Sequence, residues 1–285
     1  MPGVPADLPA QVDAALREDI GSGDVTAALV PLAQQVRGAL ITRESAVLCG
    51  APWADETFRR LDERVRLKWH AHDGDRLTAG QAVFDIEGPA RAVLTGERTA
   101  INFLQLLSAT ATAARAFADA VAGTGTRVID TRKTLPGLRT AQKYAVRCGG
   151  GDNHRLGLYD RVLIKENHIA AAGSITRAIE AARRTAPGIT VEVEVESLAE
   201  FEEALGAKPD IVMLDEFSQA DMKAAVARNQ ALGRPVKLEA SGSVSLQGVR
   251  AVAETGVDYV SVGSLTKHVR AVDLSMRLEF SKEKP

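Results

Sequence analysis

From Thr126 onward six short apolar runs punctuate the chain: "TRVID", "VLIK", "TVEVEV", "DIVMLD", "VKLEAS" and "DYVSVG". Amphipathic helical segments such as "SITRAIEAARRTA", "LAEFEEAL", "ADMKAAVARNQAL" and "LQGVRAVAE" separate the later ones. Strands that alternate with helices cannot pair as hairpins. They pair in parallel, and a parallel sheet needs helices on its faces, so the pattern predicts an α/β unit with a mostly buried sheet. The six strands between Thr126 and Gly263 are fewer than the eight of a regular barrel. An irregular barrel and an open sheet both remain compatible with that number.

Ahead of this region the rhythm differs. Residues 7–20 read as an amphipathic helix, followed by the turn-rich "GSGDVT". Next, "VRGALITRESAVLCG" alternates apolar and polar residues, "PWADETFRRL" reads as a short helix, and "VRLKWHAHDGD" and "QAVFDIEG" read as further half-buried strands. This is an α+β pattern with an antiparallel sheet. A long Ala- and Leu-rich helix over Leu94–Ala122, closed by glycine, links the halves. The expected division is an N-terminal α/β sandwich domain over 1–108 and an α/β domain over 109–268, with the tail 269–285 returning to the first domain.

Composition narrows the function classes. The 285 residues are 45% hydrophobic and carry a net charge of −2. No basic tail or aromatic-plus-arginine stretch supports nucleic-acid binding, so any anion must be met by local charge. The first residues lack the pattern of a signal peptide, and no apolar run approaches the roughly 18 residues of a membrane span. The expectation is a cytoplasmic protein with no membrane partner. Two cysteines, Cys49 and Cys148, cannot form a disulfide framework and read as buried free thiols. Cys148, His154 and His168 match no familiar zinc spacing.

In parallel α/β folds the chemistry gathers at the carboxyl ends of the strands. Taken in order, those ends deliver Thr131, Arg132 and Lys133, then Lys165 with Glu166, Asn167 and His168, then Glu194, then Asp215. The last two deliver Ser241 with Gly242 and Gly263 with Ser264. The loop after the run of three glycines adds Asn153, His154 and Arg155. Cations of this kind hold carboxylates and phosphates through charge-assisted hydrogen bonds, each worth about 1.5–3 kcal/mol. Small Ser and Gly residues let backbone N–H groups approach a phosphate. Glu194 and Asp215 suit a divalent metal or a positive carbon centre. Each also has a plainer reading: Arg132–Lys133 as a solvated pair, Asp215 as a helix cap, His154 as a loop histidine. Glu192, Glu194 and Glu196 alternate along one strand, so they face together either into solvent or into an enclosed interior.

Taken together, "EDIGSGDVT" (18–26), "GERTAINFLQLLSATAT" (96–112), the forty residues 130–169, "VEVEVES" (191–197), "IVMLDEF" (211–217) and "LEASGSV" (238–244) resemble the quinolinate phosphoribosyltransferases. The resemblance implies an N-terminal α/β sandwich, an irregular α/β barrel with fewer than eight parallel strands, and a homodimer or higher oligomer. It implies that phosphoribosyl pyrophosphate and quinolinate react, with Mg²⁺, to give nicotinate mononucleotide, pyrophosphate and carbon dioxide. Carried over residue by residue, Arg132, Lys133, His154, Arg155 and Lys165 would surround the substrate anions. Arg98 would arrive from the partner subunit, Arg139 and Lys143 would add phosphate contacts, and Ser241, Gly242, Gly263 and Ser264 would cradle phosphate. Glu194 and Asp215 would face the ribose and the metal, with Lys133 and Lys165 completing the catalytic set.

Three positions depart from the family pattern: Leu135 in place of Thr, Glu166 in place of Asp, and Glu216 in place of Asn. Other readings are a same-fold transferase with a different acid acceptor, a barrel lyase using Lys165 or Lys133 as a Schiff-base nucleophile, and a non-catalytic binding protein.

Overall fold

A computed structural model of the chain describes residues 2–280, which divide into two compact units. In chain order the first elements are α1 (Leu8–Ile20), β1 (Gln35–Thr42), β2 (Ala46–Val47), α2 (Ala51–Leu61), β3 (Arg66–Trp69), β4 (Arg76–Leu77), β5 (Ala82–Pro89) and α3 (Ala90–Ala120). There follow β6 (Arg127–Ile129), α4 (Arg139–Cys148), β7 (Val162–Ile164), α5 (Glu166–Ala172), α6 (Ile175–Thr185), β8 (Val191–Val195) and α7 (Leu198–Ala207). The chain continues through β9 (Ile211–Asp215), α8 (Gln219–Ala231), β10 (Lys237–Ser241), α9 (Val249–Ala253), β11 (Tyr259–Ser261), the one-turn α10 (Ser264–Lys267) and β12 (Leu274–Phe280).

The first unit comprises residues 2–115, 135–150 and 267–280. Its main sheet is antiparallel, in the order β12-β1-β5-β3. The strand nearest the C-terminus therefore pairs with β1 over Val36–Thr42, while 281–285 of the expected returning tail lie outside the described residues. Close pairing at Gly38 is possible because that residue lacks a Cβ, which would lie 2.3 Å from the Arg277 carbonyl oxygen. One face of the sheet packs into a core built on Leu40, Phe84, Ile86, Ile101 and Leu104. On α2, Trp53, Ala54, Thr57 and Phe58 form the buried stripe that helical spacing demands. The start of α2 is held by Asp73, whose carboxylate accepts the N–H groups of Gly50 (3.2 Å) and Ala51 (3.1 Å) and the Tyr144 hydroxyl (2.9 Å). Burial pushes the Asp73 carboxyl above its ordinary value despite these three donors. Cys49 and Cys148 are both buried and free.

The second unit, residues 116–134 and 151–266, holds a six-stranded parallel sheet in the order β6-β11-β10-β9-β8-β7. Successive strands from β7 to β11 are neighbours, and β6 lies beyond β11. This is the cyclic order of a barrel with a seam between its first two strands. At the seam the chain after the glycine run adds one bridge to β6, with Asp152 N–H donating to the Val128 carbonyl (2.9 Å) and Asp130 N–H to the Asp152 carbonyl (3.1 Å).

Short loops lead into the helices, and the sequence supplies a serine at each of three starts. Ser174, Ser197 and Ser218 accept the N–H groups of Arg177, Glu200 and Asp221, a cap worth about 1 kcal/mol apiece. All five residues of β8, "VEVEV", are buried. Its valines occupy one face and its two glutamates the other, because side chains alternate along a strand.

Candidate active site

The carboxyl ends of the second unit's strands enclose a cavity of about 360 Å³, within the usual range for small-molecule sites. Four cationic side chains line it: Arg132 and Lys133 after β6, Arg155 in the seam loop, and Lys165 after β7. Glu194 from β8, His154 and Ser241 from the end of β10 share the same wall. Of the residues expected from the sequence, Arg132, Lys133, His154, Arg155, Lys165, Glu194 and Ser241 thus meet around one space. Glu192 and Glu194 face inward, resolving the ambiguity of the alternating strand, whereas Glu196 falls beyond β8 and is exposed.

The remaining expected residues are not among those that line this cavity. Asp215 ends β9, half-buried and in register with Ser241. Gly263 lies beside the cation wall, since a Cβ there would fall 3.1 Å from Lys133 Cδ and 3.5 Å from Thr131 Oγ1. Ser264 begins α10. Gly242 adopts φ +135° against the carboxylate of Glu216, to which the Ser243 hydroxyl also donates (3.3 Å). The departure at Glu216 therefore places a negative group against the loop that was expected to cradle phosphate. Arg98 lies exposed on α3, and Lys143 is 1% exposed on α4, both in the first unit.

Local structure aims the loop side chains. Asp130, fully buried, accepts the His154 N–H (2.9 Å) and the Asn153 side-chain amide (2.6 Å), which holds the seam loop against β6. The Thr131 hydroxyl accepts the Lys133 N–H at 3.1 Å, and the Thr266 hydroxyl donates to the Lys133 carbonyl at 2.8 Å. Asp160 ties the tip of the same loop by accepting the N–H groups of Leu156 (2.7 Å) and Gly157 (3.0 Å). The Lys165 ammonium is in contact with Glu194, whose side chain is only 9% exposed. The Lys165 N–H donates to His168 Nδ1 at 3.0 Å.

The electrostatics of the cavity wall suit an anion. Burial, and then the like charge of Arg132, pull the Arg155 guanidinium below its ordinary value. An anionic partner would offset both penalties. At the floor of the cavity Glu239 is fully buried, and burial followed by the charge of Glu192 raises its carboxyl well above the usual range. Burial also acts to raise Glu192, but hydrogen bonding and charge from His154 outweigh it and hold that carboxyl low.

Asp130 and Glu239 were not singled out from the sequence, and Glu192 only as a neighbour of Glu194. The signal for the first two was an acid inside an apolar run, "VID" and "KLEAS". An acid in a strand covered on both sides must face an enclosed polar space or carry a partner.

Known proteins supply an independent comparison. Residues 110–277 match the family described as quinolinate phosphoribosyl transferase, C-terminal domain, and residues 24–108 match its N-terminal domain. The nicotinate-nucleotide pyrophosphorylase (carboxylating) of Mycobacterium leprae is 44% identical over 270 residues, covering 93% of this chain and 94% of that protein. A probable nicotinate-nucleotide pyrophosphorylase (carboxylating) of Bacillus subtilis is 40% identical over 267 residues, covering 93% and 91%. The solved structure of the nicotinate-nucleotide pyrophosphorylase from Francisella tularensis superposes with a TM-score of 0.93 at 44% identity, covering 97% of this chain and 98% of that one.

Proposed function

The chain belongs to the quinolinate phosphoribosyltransferase family, and from that premise we propose that the cavity of its second unit is where quinolinate meets the sugar donor. The reaction transfers the phosphoribosyl group of phosphoribosyl pyrophosphate to quinolinate with decarboxylation, in the biosynthesis of NAD. One observation carries the assignment of the site: four cations and a buried acid surround a single cavity. Quinolinate brings two carboxylates and the donor brings a phosphate and a pyrophosphate, so a slightly acidic protein must concentrate positive charge locally.

In this reading Arg132, Lys133 and Arg155 grip the quinolinate carboxylates, and Lys165 engages Glu194. The bond between C1′ and the pyrophosphate oxygen breaks, its electron pair leaving with pyrophosphate. The quinolinate ring nitrogen then gives its lone pair to C1′. Glu194, with Asp215 at the next strand end, stabilises the positive charge that develops on the sugar. The ribosylated ring nitrogen is a cationic electron sink. The bond to the adjacent carboxylate then breaks, carbon dioxide leaves, and the ring carbon takes a proton from water. The protein's work is positioning and charge matching.

Mg²⁺ belongs to the proposal. Glu194 and Asp215 offer the hard carboxylate oxygens that this ion prefers, and two acids suffice because Mg²⁺ takes its other ligands from water and substrate phosphates. When bound it would neutralise charge on the leaving pyrophosphate. The test is a direct assay: purified protein with quinolinate and the sugar donor forms nicotinate mononucleotide with Mg²⁺ and not after chelation. Lack of product in the complete mixture, or trapping of a carbonyl substrate on Lys165 by borohydride, overturns the reading in favour of another acid acceptor or a lyase.

The proposal extends to a cytoplasmic homodimer in which Arg98 of the partner subunit completes each site, supported by its exposure on α3. Mixing an Arg98→Ala chain with a Lys165→Ala chain should restore part of the activity that each lacks alone. Proven mixed dimers without recovery would remove Arg98 from the site.

A further inference from the structure

Beneath the cavity His154, Glu192 and Glu239 cluster at 6%, 0% and 0% exposure. The Arg155 N–H donates to His154 Nδ1 at 2.8 Å. An imidazole whose Nδ1 accepts must carry its proton on Nε2. That nitrogen lies 2.9 Å from Glu192 Oε2 and 3.7 Å from Glu239 Oε2. The same Glu192 oxygen accepts from the Arg161 guanidinium at 3.2 Å, and the Arg161 carbonyl accepts from the Arg155 guanidinium at 3.3 Å. A closed circuit of contacts therefore leaves Arg155 at its backbone and returns at its side chain, with Glu192 as its hub.

One nitrogen and two carboxylate oxygens from these residues lie within 4.8 Å of one another, close enough to hold a cation. The circuit argues against that use. Ligation through Nε2 would require it to lose its proton while Nδ1 still accepts from Arg155, which leaves an imidazolate. The alternative follows from the circuit itself: one Glu192 oxygen faces both His154 and Arg161, while among the described residues Glu192 Oε1 is buried with no hydrogen-bond partner.

We propose that Glu192 is the buried hub that locks His154 as its Nε2–H tautomer and, through His154 and Arg161, aims Arg155 at a substrate carboxylate. Glu192 and His154 are positioning residues, and His154 serves the substrate through Arg155 instead of donating to it. The inference rests on the reading of Arg155 as a quinolinate ligand.

Two measurements test it. In the native enzyme, long-range ¹H–¹⁵N spectra of histidine-labelled protein should show one ring locked as the Nε2–H tautomer, assigned by its loss in His154→Gln. A locked Nδ1–H form or a cationic ring for His154 overturns the proposal. So does a stoichiometric metal in the purified enzyme that is lost from Glu239→Gln. In steady-state kinetics Glu192→Gln should raise the KM for quinolinate by about 10- to 100-fold, with kcat and the KM for the sugar donor little changed. Glu192→Leu should raise the same KM further, because Gln still offers an oxygen to His154 Nε2 and Leu offers none. Equal losses in Gln and Leu, or a fall confined to kcat, would count against positioning. If the wild-type enzyme does not bind quinolinate, the functional reading fails, while the tautomer measurement still decides the network.

Discussion

Arg155→Ala should weaken quinolinate binding by about 2–4 kcal/mol, roughly 30- to 1,000-fold, as read by titration calorimetry. In the free enzyme this guanidinium is half-buried beside Arg132, held by the Arg161 carbonyl, with its charged form disfavoured by burial and by its neighbour's charge. A carboxylate that enters the cavity offsets both penalties, so the ligand receives more than the modest value of an exposed ion pair. Truncation removes the partner and leaves a buried substrate carboxylate short of one donor. Because Asp130, which holds the seam loop, is untouched, the fold should persist, and the melting temperature serves as the control. Unchanged quinolinate affinity in a folded Arg155→Ala enzyme would take this residue, and with it the cation wall, out of the acceptor site.

Glu194→Gln should act on the other half of the reaction, lowering kcat by about 10²- to 10³-fold while quinolinate affinity stays level or improves. Glu194 is 8% exposed at the end of β8 and engages Lys165. In the proposed role its charge matters most when the sugar carbon becomes positive, so its loss should raise the barrier without weakening the ground-state complex. Freeing Lys165 from its partner adds positive charge for the diacid. Extra Mg²⁺ should not restore the rate, because the amide keeps an oxygen but not the charge. A kcat within about threefold of wild type would refute the role given to Glu194.

The two substitutions differ in how readable their sites were from sequence. Arg132, Lys133 and Lys165 could be placed because each follows an apolar run long enough for one strand, and strand ends converge in a parallel sheet. The six strands and the serine-capped helices between them were equally accessible, since period and capping are local properties. The order of the strands was not. That β6 borders β11, and that Asp152 bridges the seam beside it, depends on crossovers that no local pattern encodes.

Glu192 and Glu239 mark the boundary most sharply. Sequence established that "VEVEV" and "KLEAS" put acids in strands, and alternation established that Glu192 and Glu194 share a face. Whether that face meets solvent or an enclosed interior depends on closure of the sheet and on its cover of helices. Only then does a carboxyl lose its water, come to lie near a neighbour from another strand, and help set the direction of an arginine in a loop. Local chemistry chose the residues that can bind anions; the tertiary structure decided which carboxyls would be buried among them, because desolvation belongs to the assembled sheet and to no single segment of chain.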